Sequence, residues 1–487
     1  MIGSWIVMVA LMGQAGLGGP NVDVARVADI IPGPEGSFPC LLTPFKDSLY
    51  FRAKAVPHGS QSALWRWDGV KAEQVALIGD FPTDLVPAGD GLWFFADDKL
   101  WRFDGTATTL APGWTVKLTV PEELIAYGGD LWFRASSFSS PNIGTELWKY
   151  DGANVSYFDI YPGMNPFGAK NSYPQHFIEF GGFLYFNACG PTTGGTELFR
   201  TNGTDYEVAA NIANGSSPEQ FCIFRDELYF SAYRSDLGRE LWRFDRSRAE
   251  LATDAVPGFG SLNPYALCVY DDALYFGAEG GIEGCELWRF DGERAELVAD
   301  INQNPYVPGI DPVHHSWPAD LTVHDGVLYF TADDGVHGRE LWSFDGTAAA
   351  LVADIYPGKD GSYPAGLRSW NGALWFAADD GIAGSELWRL AARPGQAFLR
   401  GDANGDGGRD ISDPIATLEY LFATDAASAL PCEKSADANH SGEVDISDAV
   451  FTLLVLYAGL PAPELTGKCC ADDTPDGLTC ERYTSCP

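Results

Sequence analysis

The sequence predicts an all-β propeller of four-stranded blades, because two short phrases recur at the right spacing. Glu-Leu-Trp or a close variant occurs eight times, at 63, 99, 146, 197, 240, 286, 340 and 386. Leu-Tyr-Phe or Leu-Trp-Phe also occurs eight times, at intervals of 43, 39, 53, 44, 46, 54 and 46 residues. This period matches the roughly 40 to 50 residues of a propeller blade and suits neither a helical solenoid nor a short leucine-rich repeat.

Each repeat unit reads as four short strands rich in aromatic and β-branched residues, separated by Gly, Pro and Asp turns. In the seventh unit we predict strands at 319–324, 327–332, 340–344 and 351–355, from the innermost to the outermost.

The two ends of the repeat array predict how the ring closes. Residues 24–31 read as an outer strand with no Glu-Leu-Trp phrase before it, whereas the last phrase, at 386, has no outer strand after it. If these two segments pair, the first and last units share a blade and no sheet edge stays exposed. We therefore predict eight blades, with seven as the alternative because the second unit has lost a connecting loop.

The tryptophans of the repeated phrase indicate packing between blades. A large flat side chain at a fixed place in each unit buries much apolar area. The segments 332–342 and 378–388 resemble the tryptophan-docking motif of eight-bladed quinoprotein dehydrogenases. Residues 22–392 more closely resemble the ELWxxDGT repeat family of exported bacterial proteins, which implies an architecture more than an activity. We expect a structural role for Trp148, Trp242, Trp288, Trp342 and Trp388.

The N-terminus and the composition point to export. Residues 5–12 are apolar and small residues follow, which predicts a signal peptide over 1–18, with an uncleaved anchor as the alternative. A net charge of −36 argues against nucleic acid or an anionic membrane surface as a partner. Later in the chain no segment could span a bilayer, so we expect a secreted, cell-surface or periplasmic protein. Ten cysteines, five of them in the last 56 residues, predict disulfides.

Two calcium loops follow the repeats. In each, oxygen ligands fall at positions 1, 3, 5, 7, 9 and 12, with Gly at position 6 for a sharp turn. The predicted ligands of the first Ca²⁺ are Asp402, Asn404, Asp406, the Gly408 carbonyl, Asp410 and Asp413. Those of the second are Asp437, Asn439, Ser441, the Glu443 carbonyl, Asp445 and Asp448. Hard oxygen donors favour calcium, since magnesium demands a tighter octahedron.

An amphipathic helix follows each loop, and none is predicted before it. Apolar residues at helical spacing (Ile411, Ile415, Leu418 and Phe422, then Ile446, Val450, Leu453 and Tyr457) are expected to pack the two helices together.

Residues 400–460 resemble a type I dockerin after a linker over 393–399, and this resemblance implies attachment to a cohesin-like protein. Loop positions 10 and 11 read Ile-Ser, where cellulosomal dockerins often carry a polar pair. The tail, 461–487, resembles the cysteine-rich ending of planctomycete-type exported proteins.

No catalytic motif stands out. Asp311, His314, His315 and His324 could hold a metal, Cys222 and Cys268 could form a bridge or remain small thiols, and the Asp pairs 97–98, 333–334 and 379–380 read first as turns. Two functions stay open. One is a binding or scaffold protein whose propeller face holds a protein or glycan. The other is a glycoside hydrolase or polysaccharide lyase with its site on the propeller axis.

Overall fold

A computed structural model describes residues 22–59, 61–77, 82–137, 142–165, 168–257, 260–280, 284–304, 314–392, 399–422, 430–458 and 478. The predicted signal peptide, most of the predicted linker and, apart from residue 478, the tail lie outside the described residues. The chain divides into two compact units, residues 1–391 and 392–487.

The first unit consists of eight four-stranded antiparallel sheets in a propeller ring, which confirms the predicted fold class and excludes seven blades. Strand β1 (Val22–Ala28) belongs to the last blade. Blade 1 contains β2 (Cys40–Phe45), β3 (Ser48–Lys54), β4 (Ser62–Trp67) and β5 (Ala72–Leu77), and blade 2 contains β6 (Thr83–Ala88), β7 (Gly91–Ala96), β8 (Lys99–Phe103) and β9 (Thr108–Leu110). Blade 3 contains β10 (Thr119–Tyr127), β11 (Asp130–Ser137), β12 (Gly144–Tyr150) and β13 (Val155–Phe158), and blade 4 contains β16 (Gln175–Phe180), β17 (Phe183–Cys189), β18 (Thr196–Thr201) and β19 (Tyr206–Ala210). A small hairpin, β14 (Met164–Asn165) and β15 (Gly168–Ala169), lies between blades 3 and 4.

Blades 5 to 8 repeat the arrangement, and in every blade the first strand of the unit is the innermost. Blade 5 contains β20 (Glu219–Phe224), β21 (Glu227–Arg234), β22 (Gly238–Phe244) and β23 (Ala249–Thr253), and blade 6 contains β24 (Tyr265–Tyr270), β25 (Ala273–Glu279), β26 (Cys285–Phe290) and β27 (Ala295–Ala299). Blade 7 contains β28 (Ala319–His324), β29 (Val327–Asp333), β30 (Arg339–Phe344) and β31 (Ala349–Ala353), and blade 8 contains β32 (Ala365–Trp370), β33 (Ala373–Asp379), β34 (Ser385–Ala392) and β1.

The seventh blade shows how far strand limits could be predicted. Its three inner strands lie within one residue of the prediction, but the outermost strand, β31, begins and ends two residues early. It begins early because the Asp345 carboxylate closes the preceding turn on the N–H groups of Thr347 and Ala348, 2.8 and 2.9 Å away. It ends early because the Ile355 N–H bonds the buried Glu340 instead of a neighbouring strand.

The ring closes as the sequence predicted. Strand β1 pairs with β34, so the last blade contains both ends of the repeat array. An ion pair of 2.9 Å between Arg26 and Asp380 adds to this junction. The second blade, whose connecting loop is missing, turns directly at Asp97 and Asp98 with φ of 50° and 57°, the left-handed pair of a tight hairpin.

Apolar clusters fill the space between neighbouring blades, and the docking tryptophans belong to them. Trp148, Trp242, Trp288, Trp342 and Trp388 are 3 to 9% exposed. Trp388, for example, packs with Tyr329 and Leu341 of the preceding blade. The predicted structural role of these side chains is therefore confirmed.

The second unit contains α1 (Ser412–Phe422), α2 (Glu433–Ala436) and α3 (Ile446–Ala458). Helices α1 and α3 pack together, but the predicted packing of their apolar stripes is wrong. Small and polar residues (Pro414 and Thr417 of α1, Ala449 and Thr452 of α3) are buried instead. A one-turn helix, α2, also precedes the second loop, where none was expected. In the described part of the chain, no helix is both long and apolar enough to cross a membrane.

Candidate functional site

The glutamate of the Glu-Leu-Trp phrase is completely buried in the six blades that carry it: Glu146, Glu197, Glu240, Glu286, Glu340 and Glu386 are each 0% exposed. In blades 1 and 2, Ala63 and Lys99 occupy the same place. A buried carboxylate is costly unless several donors satisfy it. These glutamates therefore need partners supplied by the fold.

Glu340 shows what those partners are. Its carboxylate accepts hydrogen bonds from the N–H groups of Ile355 (3.1 Å), Tyr356 (3.1 Å) and Ser362 (2.8 Å), and from the Ser362 hydroxyl. All four donors lie in the connection from the outermost strand to the innermost strand of the next blade. Each glutamate thus fixes the turn that begins the next blade.

Burial raises the pKa of five of these carboxyls, and the hydroxyl donor, where present, limits the rise. The pKa of Glu146, Glu286, Glu340 and Glu386 is about 7, and that of Glu240 is about 8. The serine that binds the other glutamates is replaced by Leu262 beside Glu240. The hydrogen bonds from the connecting segment to the buried glutamate form what we call the brace. The sequence did not reveal it, although Glu and a Ser-x-Pro triplet both recur in the repeat.

One residue lies between the glutamate-binding serine, or the residue that replaces it (Thr119 and Leu262), and the proline at the start of the inner strand, and we call it the rim residue. At each described rim position the backbone is left-handed, with φ of 46° to 53°: Phe38, Val120, Tyr173, Ser217, Asn263, Trp317 and Tyr363. Six of their N–H groups donate to the carbonyl of the residue before the buried glutamate of the preceding blade, as Tyr363 donates to Arg339 at 3.1 Å. The repeat therefore fixes the rim backbone, and the side chain is free to vary.

Four rim side chains are aromatic and exposed. Phe38, Tyr173, Trp317 and Tyr363 are 56, 54, 41 and 65% exposed. Large apolar side chains held in solvent by a fixed turn are a candidate binding surface.

Two carboxylates lie on neighbouring inner strands, Asp84 on β6 and Glu123 on β10. Both have left-handed backbones, and the Glu123 carboxylate accepts the His176 N–H of the next blade at 3.0 Å. Burial raises the pKa of Asp84 to about 6, with a further contribution from the charge of Glu123.

The two predicted calcium loops share one internal framework, beginning at their first residue. The Asp402 carboxylate accepts the N–H groups of Asp406 (3.1 Å) and Gly407 (2.8 Å). Asp437 accepts those of Ser441 (2.9 Å) and Gly442 (3.0 Å) in the same way. The glycines have φ of 88° and 86°, which the sharp turn at position 6 requires.

The last residue of each loop closes it. Asp413 accepts the N–H groups of Asn404 (3.3 Å) and Asp410 (2.8 Å), and Asp448 accepts those of Asn439 (3.1 Å) and Asp445 (2.9 Å). The carboxylates at positions 1 and 12 are 0 to 1% exposed in both loops. Each loop therefore buries two carboxylates.

Burial raises the pKa of Asp413 and of Asp448 to about 6. No three His, Cys, Asp or Glu side chains of the described residues converge on one point as a metal-binding group. The loop carboxylates bond N–H groups instead. The donor set still fits a hard cation, because every predicted ligand is an oxygen.

Loop positions 10 and 11 have different roles. Ser412 at position 11 donates its hydroxyl to Asp410 at 2.6 Å and lies 2.6 Å from the Asn404 amide, so it belongs to the loop framework. Ser447 makes the equivalent contacts. Ile411 and Ile446 at position 10 are 48 and 55% exposed.

The two loops brace each other through matching positions. Ser435, two residues before the second loop, donates to the Asp402 carbonyl at 2.8 Å. Arg400, two residues before the first loop, donates to the Asp437 carbonyl at 2.6 Å. Each loop therefore holds the first residue of the other.

The other sequence candidates have structural contacts. His315 accepts the Cys285 N–H at 2.7 Å and stacks on Trp317, and the His324 ring bonds Ser369 at 2.9 Å. Asp311 lies outside the described residues. The Asp pairs 333–334 and 379–380 accept N–H groups of their own turns, and Asp98 accepts the Val120 N–H at 3.1 Å.

The cysteines fall into two groups. Cys40, Cys189, Cys222, Cys268 and Cys285 are free, so Cys222 and Cys268 do not form the bridge that their matching positions allowed. Burial raises the pKa of both thiols to about 11. Cys432, in the second unit, is disulfide-bonded.

No family profile matches the chain, and no curated protein matches its sequence. Solved structures with a similar fold include a puromycin hydrolase (15% identity, TM-score 0.42, 70% of this chain and 58% of that chain covered). Others are the β-propeller domain of the Trilobed protease from Pyrococcus furiosus (10%, 0.39, 72% and 95%) and a dihydro-heme d1 dehydrogenase (11%, 0.42, 66% and 67%). At these values the likeness carries no argument about activity. The resemblances to ELWxxDGT repeats and to dockerins stay predictions.

Proposed function

We propose that the second unit binds two calcium ions, one in each loop. The observation that carries this proposal is the identical framework of the two loops, which buries two carboxylates in each. Two buried carboxylates so near each other repel, and a divalent cation would offset that repulsion. The predicted ligands would hold each ion through oxygen atoms only.

Calorimetric titration of the full chain, stripped with EGTA, tests calcium binding. We expect uptake of two ions per chain, accompanied by a gain of helical circular dichroism as α1 and α3 become ordered on their loops. An absence of calcium uptake would reject the proposal.

We further propose that the second unit attaches the protein to a protein partner, as the dockerin resemblance implies. The exposed apolar residues of α1 and α3 support this idea because they lie at equivalent positions of the duplicated unit. Ile415 and Val450 are both 48% exposed, and Phe422 and Tyr457 are 67 and 69% exposed. Such exposed apolar stripes are typical of interaction surfaces.

Attachment is tested by capture of the protein on an immobilised cohesin domain in calcium and in EGTA. We expect calcium-dependent capture that Ile415→Glu combined with Val450→Glu abolishes. The matched control is Lys359→Glu, which places the same side chain at an exposed position of the first unit. Failure of the wild-type chain to bind would leave calcium binding intact and reject a cohesin-like partner.

For the propeller we propose a non-enzymatic binding role in an exported protein. The exposed aromatic rim supports a ligand-binding face. The second candidate, a carbohydrate-active enzyme, is favoured by one observation, the carboxylates of Asp84 and Glu123 on adjacent inner strands. An acid whose pKa is raised beside an ionised carboxylate is the usual pair of a glycosidase.

Product analysis with soluble polysaccharides separates the two candidates. Under the binding role, no polysaccharide is shortened by the full chain. Turnover that disappears in Asp84→Asn would establish the enzyme instead.

A further inference from the structure

Three neighbouring blades present their aromatic rim residues side by side. Trp317 opens blade 7, Tyr363 opens blade 8 and Phe38 opens blade 1, and the closed ring makes these blades neighbours. We call Trp317, Tyr363 and Phe38 the aromatic arc. Of the other described rim residues, Ser217 and Asn263 are polar, Val120 is aliphatic, and Tyr173 in blade 4 is an aromatic residue without an aromatic rim residue in the next blade. The arc is therefore a distinct sector of the ring.

The inner strand of blade 8, the middle blade of the arc, is unusually open. In β32 the residues Ala365, Gly366, Arg368 and Ser369 are exposed, whereas the inner strands of blades 4 to 6 each expose a single residue.

Charged residues also occur in this sector of the ring. The exposed Asp320 accepts the Gly366 N–H at 3.0 Å through one carboxylate oxygen. Arg368 follows two residues after Gly366, and Lys54 lies 4.7 Å from the centre of the Phe38 ring. The sector thus combines aromatic faces with a carboxylate and two cations.

Hydrogen bonds hold the backbone of the aromatic arc in place. Phe38, Trp317 and Tyr363 each donate their N–H to a third-strand carbonyl at 3.0 to 3.1 Å. The serine before each of them is bound by a buried glutamate. The Trp317 ring also stacks on His315, with centroids 5.0 Å apart. A preorganised surface loses little entropy when it binds a ligand.

We propose that the aromatic arc binds a neutral polysaccharide of equatorially linked pyranoses, such as a β-1,4-glucan or a xylan. This proposal rests on the binding role proposed for the propeller. Such sugars expose flat C–H faces that stack on aromatic rings, while their hydroxyls bond carboxylate and guanidinium groups. A recurring ring in three consecutive blades suits a repeating polymer. The net charge of −36 disfavours a polyanionic glycan.

Affinity electrophoresis of the full chain in gels containing hydroxyethylcellulose or xylan tests the arc. We expect retardation of the wild-type protein by at least one polymer, and none by hyaluronate. Loss of one stacking ring in Tyr363→Ala should weaken binding by about tenfold. Tyr363→Phe keeps the ring and should bind as the wild type does.

Tyr173→Ala is the matched control. Tyr173 has the same backbone conformation and similar exposure, but it lies in blade 4, outside the arc. We expect its loss to leave retardation unchanged. Circular dichroism confirms that each variant is folded.

The proposal is overturned if neither neutral polymer retards the wild-type chain, or if Tyr173→Ala weakens binding as much as Tyr363→Ala. Repeating the gels in EGTA separates this result from the calcium proposal. The arc belongs to the first unit, so we expect retardation without calcium. A chain that binds the polymer but no calcium would refute only the calcium proposal.

Discussion

At the scale of single residues, each buried glutamate of the propeller depends on a few donors from one connecting segment. A carboxylate removed from water must recover its hydration energy through hydrogen bonds, and the serine hydroxyl supplies one of them. Glu240, which has Leu262 in place of the serine, has the highest pKa among these glutamates. The hydroxyl therefore stabilises the charged form.

Ser362→Ala tests this role. Without the hydroxyl we expect the pKa of Glu340 to rise from about 7 towards the value of about 8 at Glu240. The free energy of unfolding should fall by about 1 kcal/mol at pH 8.5, where the carboxylate is charged, and by less at pH 5. Urea unfolding followed by tryptophan fluorescence at the two pH values measures the difference.

Ser247→Ala is the control. The Ser247 hydroxyl donates to the exposed Asp245 at 2.7 Å, and hydrogen bonds lower the pKa of that carboxyl to about 2. Asp245 is therefore charged at both pH values, so any loss of stability should be the same at pH 5 and pH 8.5. An equal loss at the two pH values for Ser362→Ala would contradict the assignment.

These residue roles were only partly visible in the sequence. The recurrence of Glu-Leu-Trp drew attention to the tryptophan and not to Glu340, whose partners lie 15 to 22 residues away in a connection whose path depends on the next blade. The left-handed backbone of the rim was also hidden, since residues before proline ordinarily favour extended conformations. Both features depend on contacts between blades.

At the scale of elements, β1 completes the ring. It covers the open edge of β34 and places Val22 and Val24 against the core of the last blade. Deletion of residues 22–28 should lower the free energy of unfolding by about 2 to 3 kcal/mol, from the loss of two partly buried valines and their strand pairing. The freed edge should also promote dimers, which light scattering detects.

Arg26→Ala is the matched control for this deletion. It removes only a partly exposed ion pair with Asp380, which should contribute less than about 1 kcal/mol. If the deletion costs no more than Arg26→Ala, then β1 is not required for closure.

The helices of the second unit show a limit of sequence patterns. Helical spacing correctly located apolar stripes on α1 and α3, but periodicity does not identify which element covers a stripe. The structure buries Pro414, Thr417, Ala449 and Thr452 instead, and most residues of the stripes are exposed. By contrast, the pairing of β1 with the last blade was predictable. The start of the repeat array has an outer strand without a Glu-Leu-Trp phrase before it, and the last Glu-Leu-Trp phrase has no outer strand after it.

The cross-brace between the loops predicts coupled calcium sites. Ser435→Ala removes the bond to the Asp402 carbonyl without touching a predicted ligand of either ion. We expect it to weaken calcium binding at the first loop by about fivefold, the effect of a neutral hydrogen bond of about 1 kcal/mol. Calorimetry would measure the change, and unaltered affinities would show that the loops bind independently.

At the scale of the whole molecule, the buried glutamates predict an unusual dependence of stability on pH. In Glu146, Glu240, Glu286, Glu340 and Glu386 the folded-state pKa of about 7 to 8 exceeds the ordinary value of 4.5. The stability they contribute is complete below pH 4.5 and is lost as the pH rises through 7 to 8. We expect the free energy of unfolding in EGTA to decrease from pH 5 to pH 8.5.

The turn aspartates act in the opposite direction. The lowered pKa of Asp245 and Asp345, about 2 in each case, means that their contribution is lost only in strong acid. Maximal stability should therefore lie near pH 5. Urea unfolding across the range checks this, with Glu340→Gln expected to flatten the decline above pH 5. A stability that rises from pH 5 to pH 8.5 would contradict the burial of these carboxyls.

Eight blades and their order could be predicted at this scale, because the repeat fixes the number of units and their length. The ligand proposed for the propeller could not be predicted, because its binding depends on the residues that differ between repeat units. Trp317, Tyr363 and Phe38 lie at one repeated position, but Phe38 joins the other two only when the ring closes and brings blade 1 beside blade 8. Asp84 and Glu123 likewise meet only through adjacent inner strands.

Native mass spectrometry of the full chain in calcium tests the central functional claim most directly. We predict two bound ions for the wild type, one each for Asp402→Ala and Asp437→Ala, and none for the double variant. Glu443→Ala, which keeps the backbone carbonyl, should retain two. Zero ions on the wild type, or two on the double variant, would contradict calcium binding by these loops.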